Sequence, residues 1–210
     1  SSIPSTVIVD PSVLKTLPDY QKKSTAMDAL CHCIESYWSV NSNEESYQYS
    51  REGIKMILDN LEGYIANEDE ANANMLRAAN LGGKAINITQ TTAGHAMCYK
   101  LTSLYGIAHG HAAALCVSKL WPYMTRHTEK CIDERGENYL RGIFQKIAEA
   151  MGCDSVEKAI MRFDKILEQF GLTPPVPEES DYPILKTSVN PVRLKNFPVQ
   201  LDENAINELY

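Results

Sequence analysis

Residues 94–111 read GHAMCYKLTSLYGIAHGH, and this short stretch holds three of the chain's five histidines. Gly106 and the run Leu101-Thr102-Ser103 before it predict a loop between His95 and His109. His95 then ends one helix or begins the loop, and His109 opens the next helix. Imidazoles presented at two facing helix ends make a site only if another element closes against them. The fold therefore turns on what the rest of the chain packs there.

Outward from this stretch the pattern is helical almost throughout. Asp19 to Tyr37 carries Ala26, Leu30, Cys33 and Tyr37 on one stripe, three or four apart. Asn43 to Leu61, Glu68 to about Gln90, and His109 to Met124 predict three more helices, and 138–151 and 155–170 add two. The last of these ends at Gly171, a C-cap position ahead of Pro174-Pro175. Val176 to Pro198 reads as extended, proline-rich loop. The ending LDENAINELY reads as a closing helix with acids in its first turn, where they suit the macrodipole. The one predicted strand is Thr6-Val7-Ile8-Val9, closed by Asp10-Pro11, and its partners are expected in an N-terminal part beyond this chain. No βαβ series and no glycine-rich phosphate loop occurs. The expectation is an all-α helical bundle with a short N-terminal strand, one domain over residues 1–210.

Composition narrows the function. With 210 residues, 44% hydrophobic and 22% charged, the chain has the profile of a globular protein. A formal charge of −7 argues against non-specific binding to nucleic acid or anionic membrane, since both need a basic surface. No apolar run approaches the roughly 20 residues of a membrane helix. The start, SSIPSTVIVDPS, lacks the basic and apolar regions of a signal peptide. Six cysteines without a CxxC are expected to be reduced, in a cytoplasmic protein.

The first long helix contains Met27-Asp28-Ala29-Leu30-Cys31-His32. Asp28 and His32 are four residues apart, so both leave one helix face and can touch one ion, on the geometry of the paired histidines of HExxH. Each histidine alone is an ordinary hydrogen-bonded residue. Four of the five lying in or beside two motifs shift the weight toward a metal site, with Asp28, His32, His95 and His109 as ligands. One carboxylate and three neutral imidazoles suit Fe(II), Zn or another borderline divalent ion, with room for a substrate oxygen.

MDALCHCIESY followed by GHAMCYKLTSLYGIAHGHAAAL resembles the iron-containing (group III) alcohol dehydrogenases, specifically their C-terminal helical domain in the dehydroquinate synthase-like fold. The resemblance runs from VIVDPSVLKTLP to LDENAINELY. It implies that the aspartate and histidine of DALxH and the two histidines of the GH…HG pair hold the catalytic metal, which again gives Asp28, His32, His95 and His109. Many members carry a further histidine near the nicotinamide, four residues after the first of that pair, where it helps to move the alcohol proton. Tyr99 stands there in this chain, so Tyr99 and His111 are the candidates for that role. TTAGHAMCYKLTSLYGIAHGH with SVNPVRLKN is most similar to the branch that reduces phosphonate aldehydes. Lys100 and Arg193, with Lys195, are then candidates to hold an anionic substrate group.

The resemblance implies hydride exchange between NAD(P) and a small alcohol or aldehyde, with Fe(II) or zinc as Lewis acid. It also implies a dinucleotide-binding, Rossmann-like domain absent from these residues, and a possible homodimer. The isolated chain is expected to bind metal without dehydrogenase turnover. A non-haem iron oxygenase is disfavoured because such sites normally sit in β-barrels, and a di-iron protein because no pair of ExxH motifs occurs. The remaining alternative is a non-enzymatic helical interaction module with structural histidines.

Overall fold

A computed structural model describes residues 6–187, 189, 194–202, 205, 206 and 209, with the side chains of 182, 186 and 187 outside that description. Eight helices of the described residues form the fold. They are α1 (Asp19–Trp38), α2 (Glu44–Ile65), α3 (Asp69–Thr89), α4 (Ala93–Tyr105), α5 (His109–Arg126), α6 (Glu137–Ala150), α7 (Val156–Gln169) and α8 (Tyr182–Thr187).

Helix α1 is the axis. It packs against α2, α3 and α5 and more lightly against α6, and it is buried on most of its circumference. A helix surrounded in this way needs small side chains for close approach, and Ser24, Ala26, Ala29, Cys31, Cys33 and Ser36 supply them. Two polar devices anchor it. Near its start the buried Lys22 donates to the Tyr64 carbonyl at 3.2 Å and to Asn72 Oδ1 at 3.1 Å. Past its end the Arg135 guanidinium, paired with Asp133 at 2.7 Å, donates to the carbonyls of Ser39, Val40 and Ser42. Trp38, Trp121, Phe163 and Phe197 meet edge to face in the core.

Local signals explain most boundaries. Asn43 and Ser46 form a reciprocal capping box that starts α2. Ser155 caps α7, and Gly171, with φ +64°, lies just past its end. Pro122 lies inside α5 without ending it.

Three expectations are corrected, over residues 101–103, His95 and residues 176–198. Helix α4 is absent from the sequence-based expectation. Leu101-Thr102-Ser103 continues it, because Met97, Cys98 and Leu101 share a buried face. The loop shrinks to Gly106–Ala108, with Gly106 at φ +67° ending the helix. His95 accordingly sits in the first turn of α4 rather than at a helix end before a loop. Thr6–Val9 forms no ladder among the described residues, and Val7 and Ile8 are 56% and 89% exposed. The partner strands expected for it belong to a part outside these residues, and none of the described helices offers an edge in their place. The expected loop over 176–198 contains α8, whose Pro183 stands in the first turn where a missing N–H is harmless. Its Leu185 is buried. In the closing segment Ala205, Ile206 and Leu209 are helical and buried, and Asp202 Oδ1 accepts from the Ala205 N–H at 2.8 Å.

Candidate metal centre

Three helices bring the site together. Asp28 and His32 project from the middle of α1, His95 from the first turn of α4, and His109 is the first residue of α5. Two glycines make the approach possible. A Cβ on Gly110 would lie 2.1 Å from the Ser24 carbonyl oxygen and 2.7 Å from Asp28 Cβ. One on Gly94 would lie 2.9 Å from Val117 Cγ2 and still closer to Glu35 Oε1. Gly110 thus lets α5 settle onto α1, and Gly94 lets α4 settle against Val117 of α5 and the Glu35 side chain of α1, so that each adjacent imidazole arrives at the carboxylate.

One ligand atom from each of Asp28, His95 and His109 lies within 4.8 Å of the others. Nε2 of His95 and Nε2 of His109 stand 3.4 and 3.6 Å from Asp28 Oδ1. That oxygen is buried and takes part in no hydrogen bond. Ligand atoms about 2.1 Å from a tetrahedral ion are separated by about 3.4 Å, so the spacing fits a shared cation better than it fits direct hydrogen bonds. The donor set, imidazole nitrogens with a carboxylate oxygen, suits the same borderline divalent ions. His32 stands beside this group. Its Nδ1 is 3.9 Å from Asp28 Oδ2 and its ring stacks on His95 with centroids 4.5 Å apart. It lies outside the 4.8 Å group but lines the same cleft.

Glu35 is a residue that sequence reasoning misses. It lies one helix turn beyond His32 on α1 and is fully buried. Its Oε2 is 2.5 Å from His95 Nδ1, and Oε1 accepts from Thr92 Oγ1 at 2.9 Å and from the His95 N–H at 3.3 Å. The carboxylate therefore caps α4 and fixes the His95 ring with Nδ1 on Glu35 and Nε2 toward Asp28, so that with a metal bound the neutral ring would keep its proton on Nδ1 and offer the Nε2 lone pair. The spacing Asp28, His32, Glu35, at i, i+4 and i+7 on one helix face, is the signal that marks it.

The electrostatics show a centre that attracts positive charge. Burial opposes charge on His95, but Glu35 and the approach of Asp28 outweigh it and hold the pKa up at about 9. Burial and then the charge on His95 push His32 down to about 4. Burial would raise Asp28, yet His95 and the charges of the neighbouring imidazoles hold its carboxyl below the usual range. Glu35 is likewise held down against its burial, mainly by His95.

Above the cluster opens a cleft of about 350 Å³ lined by His32, Ile86, Gln90, Thr91, His95, Tyr99 and His109. Tyr99, one turn past His95, is half exposed at its lip with its ring centroid 5.3 Å from that of His109. Gln90, ending α3, has φ 58° and ψ 171°, a region that costs about 1–3 kcal/mol for a residue with a Cβ. The structure does not bring His111 into this group. Its Nδ1 is 3.1 Å from the Tyr20 hydroxyl and its Nε2 3.0 Å from the Thr173 carbonyl, which ties α5 to the start of α1 and the proline run. Lys100, the next residue on α4, does not line the cleft. Lys195 is exposed beside Asp133 and Arg135, away from it. Arg193 lies outside the described residues. The six cysteines form no disulfide, and burial raises the thiols of Cys31 and Cys116 and pushes Cys33 up to about 12. No helix of the described residues is long and apolar enough to cross a membrane.

The chain is similar to known proteins over nearly its whole length. Residues 22–178 match the Fe-containing alcohol dehydrogenase family, C-terminal. Phosphonoacetaldehyde reductase of Streptomyces viridochromogenes is 29% identical over 98% of this chain and 53% of its own length. The 1,3-propanediol dehydrogenase of Klebsiella pneumoniae is 29% identical over 88% of this chain and 48% of its own. Among solved structures, sulfoacetaldehyde reductase from Bifidobacterium kashiwanohense in complex with NAD+ superposes with a TM-score of 0.84 at 25% identity, covering 99% of this chain and 54% of that one. The chain spans about half the length of the curated relatives it matches. It belongs to the iron-containing alcohol dehydrogenase family and corresponds to that family's C-terminal, helical part.

Proposed function

We propose that these residues form the metal-binding half of an NAD(P)-dependent alcohol dehydrogenase or aldehyde reductase, with Fe(II) or zinc held by Asp28, His95, His109 and, as fourth ligand, His32. The observation that carries this reading is the convergence of Asp28, His95 and His109 from three helices within 4.8 Å. A divalent cation held there supplies Lewis acidity toward the oxygen of an alcohol or aldehyde. Asp28 contributes the one negative ligand. Glu35 holds the His95 ring in its binding tautomer through Nδ1. Tyr99, at the lip of the cleft, is placed to pass the alcohol proton toward solvent, whereas both ring nitrogens of His111 face partners elsewhere.

The nicotinamide dinucleotide is proposed to bind on a Rossmann-like domain outside these residues, and these residues alone are proposed to take up metal without turnover. A small aldehyde with an anionic substituent is the proposed substrate, in line with the names of the phosphonoacetaldehyde and sulfoacetaldehyde reductases it resembles. Lys100 and Arg193 remain proposed contacts to that substituent in the assembled protein. A cytoplasmic location and a homodimer belong to the same proposal.

Metal stoichiometry after purification in metal-free buffer and reloading tests the reading. The wild-type chain is expected to hold one divalent ion, and Asp28→Ala and His95→Ala to lose it. Full occupancy in both variants would overturn the ligand assignment. A wild-type chain that takes up no metal would favour the interaction module with structural histidines.

A further inference from the structure

Gln90 combines a cost with a location. Its backbone, at φ 58° and ψ 171°, occupies a region that glycine enters freely and other residues avoid. The turn is clamped from both sides. Ser39 Oγ and Asn41 Nδ2 donate to the Thr89 carbonyl at 3.0 and 3.2 Å, and Asn196 Nδ2 donates to the Thr91 carbonyl at 3.2 Å. A glycine would satisfy this turn with less strain. The Gln90 side chain, which is exposed, is therefore not something that the turn itself requires.

That side chain lines the cleft above the metal centre, with His95, His109 and Tyr99. Asn196 Nδ2, which donates to the Thr91 carbonyl, also stands 3.5 Å from Gln90 Oε1, while Gln90 Nε2 donates to no group among the described residues. Among the described residues no carboxylate lines the cleft beside Gln90, and Asp28 lies below it with the imidazoles. Lys100 does not line the cleft either, so among the described residues an incoming anionic group meets amide, hydroxyl and imidazole groups there, and any charge from Lys100 or Arg193 would come in the assembled protein.

We infer that Gln90 is a specificity-determining residue whose Nε2–H donates to an anionic oxygen carried by the substrate beyond its reacting carbon. The inference rests on the dehydrogenase reading above and names the group in this chain that would sort charged from uncharged aldehydes.

The test uses the complete enzyme that contains these residues, with phosphonoacetaldehyde and acetaldehyde as the two probes. Gln90→Ala keeps the Cβ and the strain but removes the amide, and Gln90→Gly removes both. For each variant the ratio of kcat/KM for phosphonoacetaldehyde to that for acetaldehyde is expected to fall at least about tenfold, the scale of one hydrogen bond to a charged group. The loss is expected mainly in KM, because the contact is made in ground and transition states alike. Gln90→Gly is also expected to melt at a higher temperature than Gln90→Ala, since it relieves the turn. An equal loss for both aldehydes, or no change in the ratio, overturns the inference while leaving the metal centre in place. A complete wild-type enzyme that binds no metal would instead overturn the dehydrogenase reading, and this inference with it.

Discussion

Oε2 of Glu35 lies 2.5 Å from Nδ1 of His95, and both residues are buried. The pair joins α1 to α4 and aims the other nitrogen of the ring at Asp28. Because Glu35 also accepts from Thr92 and from the His95 backbone, one carboxylate both caps a helix and orients a ligand. Charge and shape separate these roles. Glu35→Gln keeps the size but loses the charge and one accepting oxygen, and is expected to weaken metal binding about 10–100-fold and to remove part of the stability that the charged His95 gives the metal-free chain below about pH 6.5. Glu35→Ala strands four donors, the N–H and hydroxyl of Thr92 and the N–H and ring Nδ1 of His95, and is expected to destabilise the fold by about 3 kcal/mol as well. Metal titration beside thermal melting checks both, and wild-type affinity in Glu35→Gln would remove the orienting role.

Gly110 and Gly142 offer a matched contrast. Gly110→Ala drives a Cβ into the Ser24 carbonyl and the Asp28 side chain, so α5 must retreat from α1 and take His109 with it. A loss of about 3 kcal/mol or more together with lower metal occupancy is expected. Gly142 lies in α6, and a Cβ added there would meet nothing within 4 Å. Gly142→Ala is expected to stabilise by about 0.5–1 kcal/mol. Equal melting temperatures for the two variants would show that α5 is not seated by close contact.

The chelator-treated chain should lose stability on the alkaline side. His95 has a folded pKa of about 9 against an ordinary 6.5. A raised pKa contributes stability that is complete below pH 6.5 and fades as pH rises to about 9, on the order of 3 kcal/mol in all. Denaturant midpoints of metal-free wild type and His95→Gln, compared from about pH 6 to 9.5 to bracket that window, should converge as pH rises. A constant difference across that range would count against a charged His95.

Arg135 should tolerate no conservative replacement. Its guanidinium pairs with Asp133 and reaches three carbonyls at the end of α1, which demands the planar fork of arginine. Arg135→Lys is expected to cost about 2–4 kcal/mol by chemical denaturation, with metal stoichiometry unchanged because the centre lies near the middle of α1. Loss of metal at full stability would refute this division of labour.

Helix positions are largely legible in the sequence because each depends on nearby residues. The stripe Ala26, Leu30, Cys33, Tyr37, the Asn43 cap and Gly171 all act within a turn or two of themselves. Helix α4 escapes such a reading because Leu101-Thr102-Ser103 carries a weak local signal, and only burial of Met97, Cys98 and Leu101 against other helices sustains it. Residues 6–9 read as extended from their β-branched side chains alone, whereas a ladder also needs a neighbouring strand, which local sequence does not supply.

By itself the sequence determined which residues have metal-binding chemistry and which of them share a helix face, since Asp28, His32 and Glu35 lie at spacings set by helix geometry. Only the tertiary structure decided that Asp28, His95 and His109 meet, that His32 stands at the edge of the group, that Glu35 orients His95, and that His111 turns to Tyr20 and Thr173 instead. The reason is physical. Side-chain spacing along a helix follows from local backbone geometry, whereas distances between helices depend on close packing across the core, where the absence of a Cβ at Gly94 and Gly110 sets how near each imidazole comes to the carboxylate.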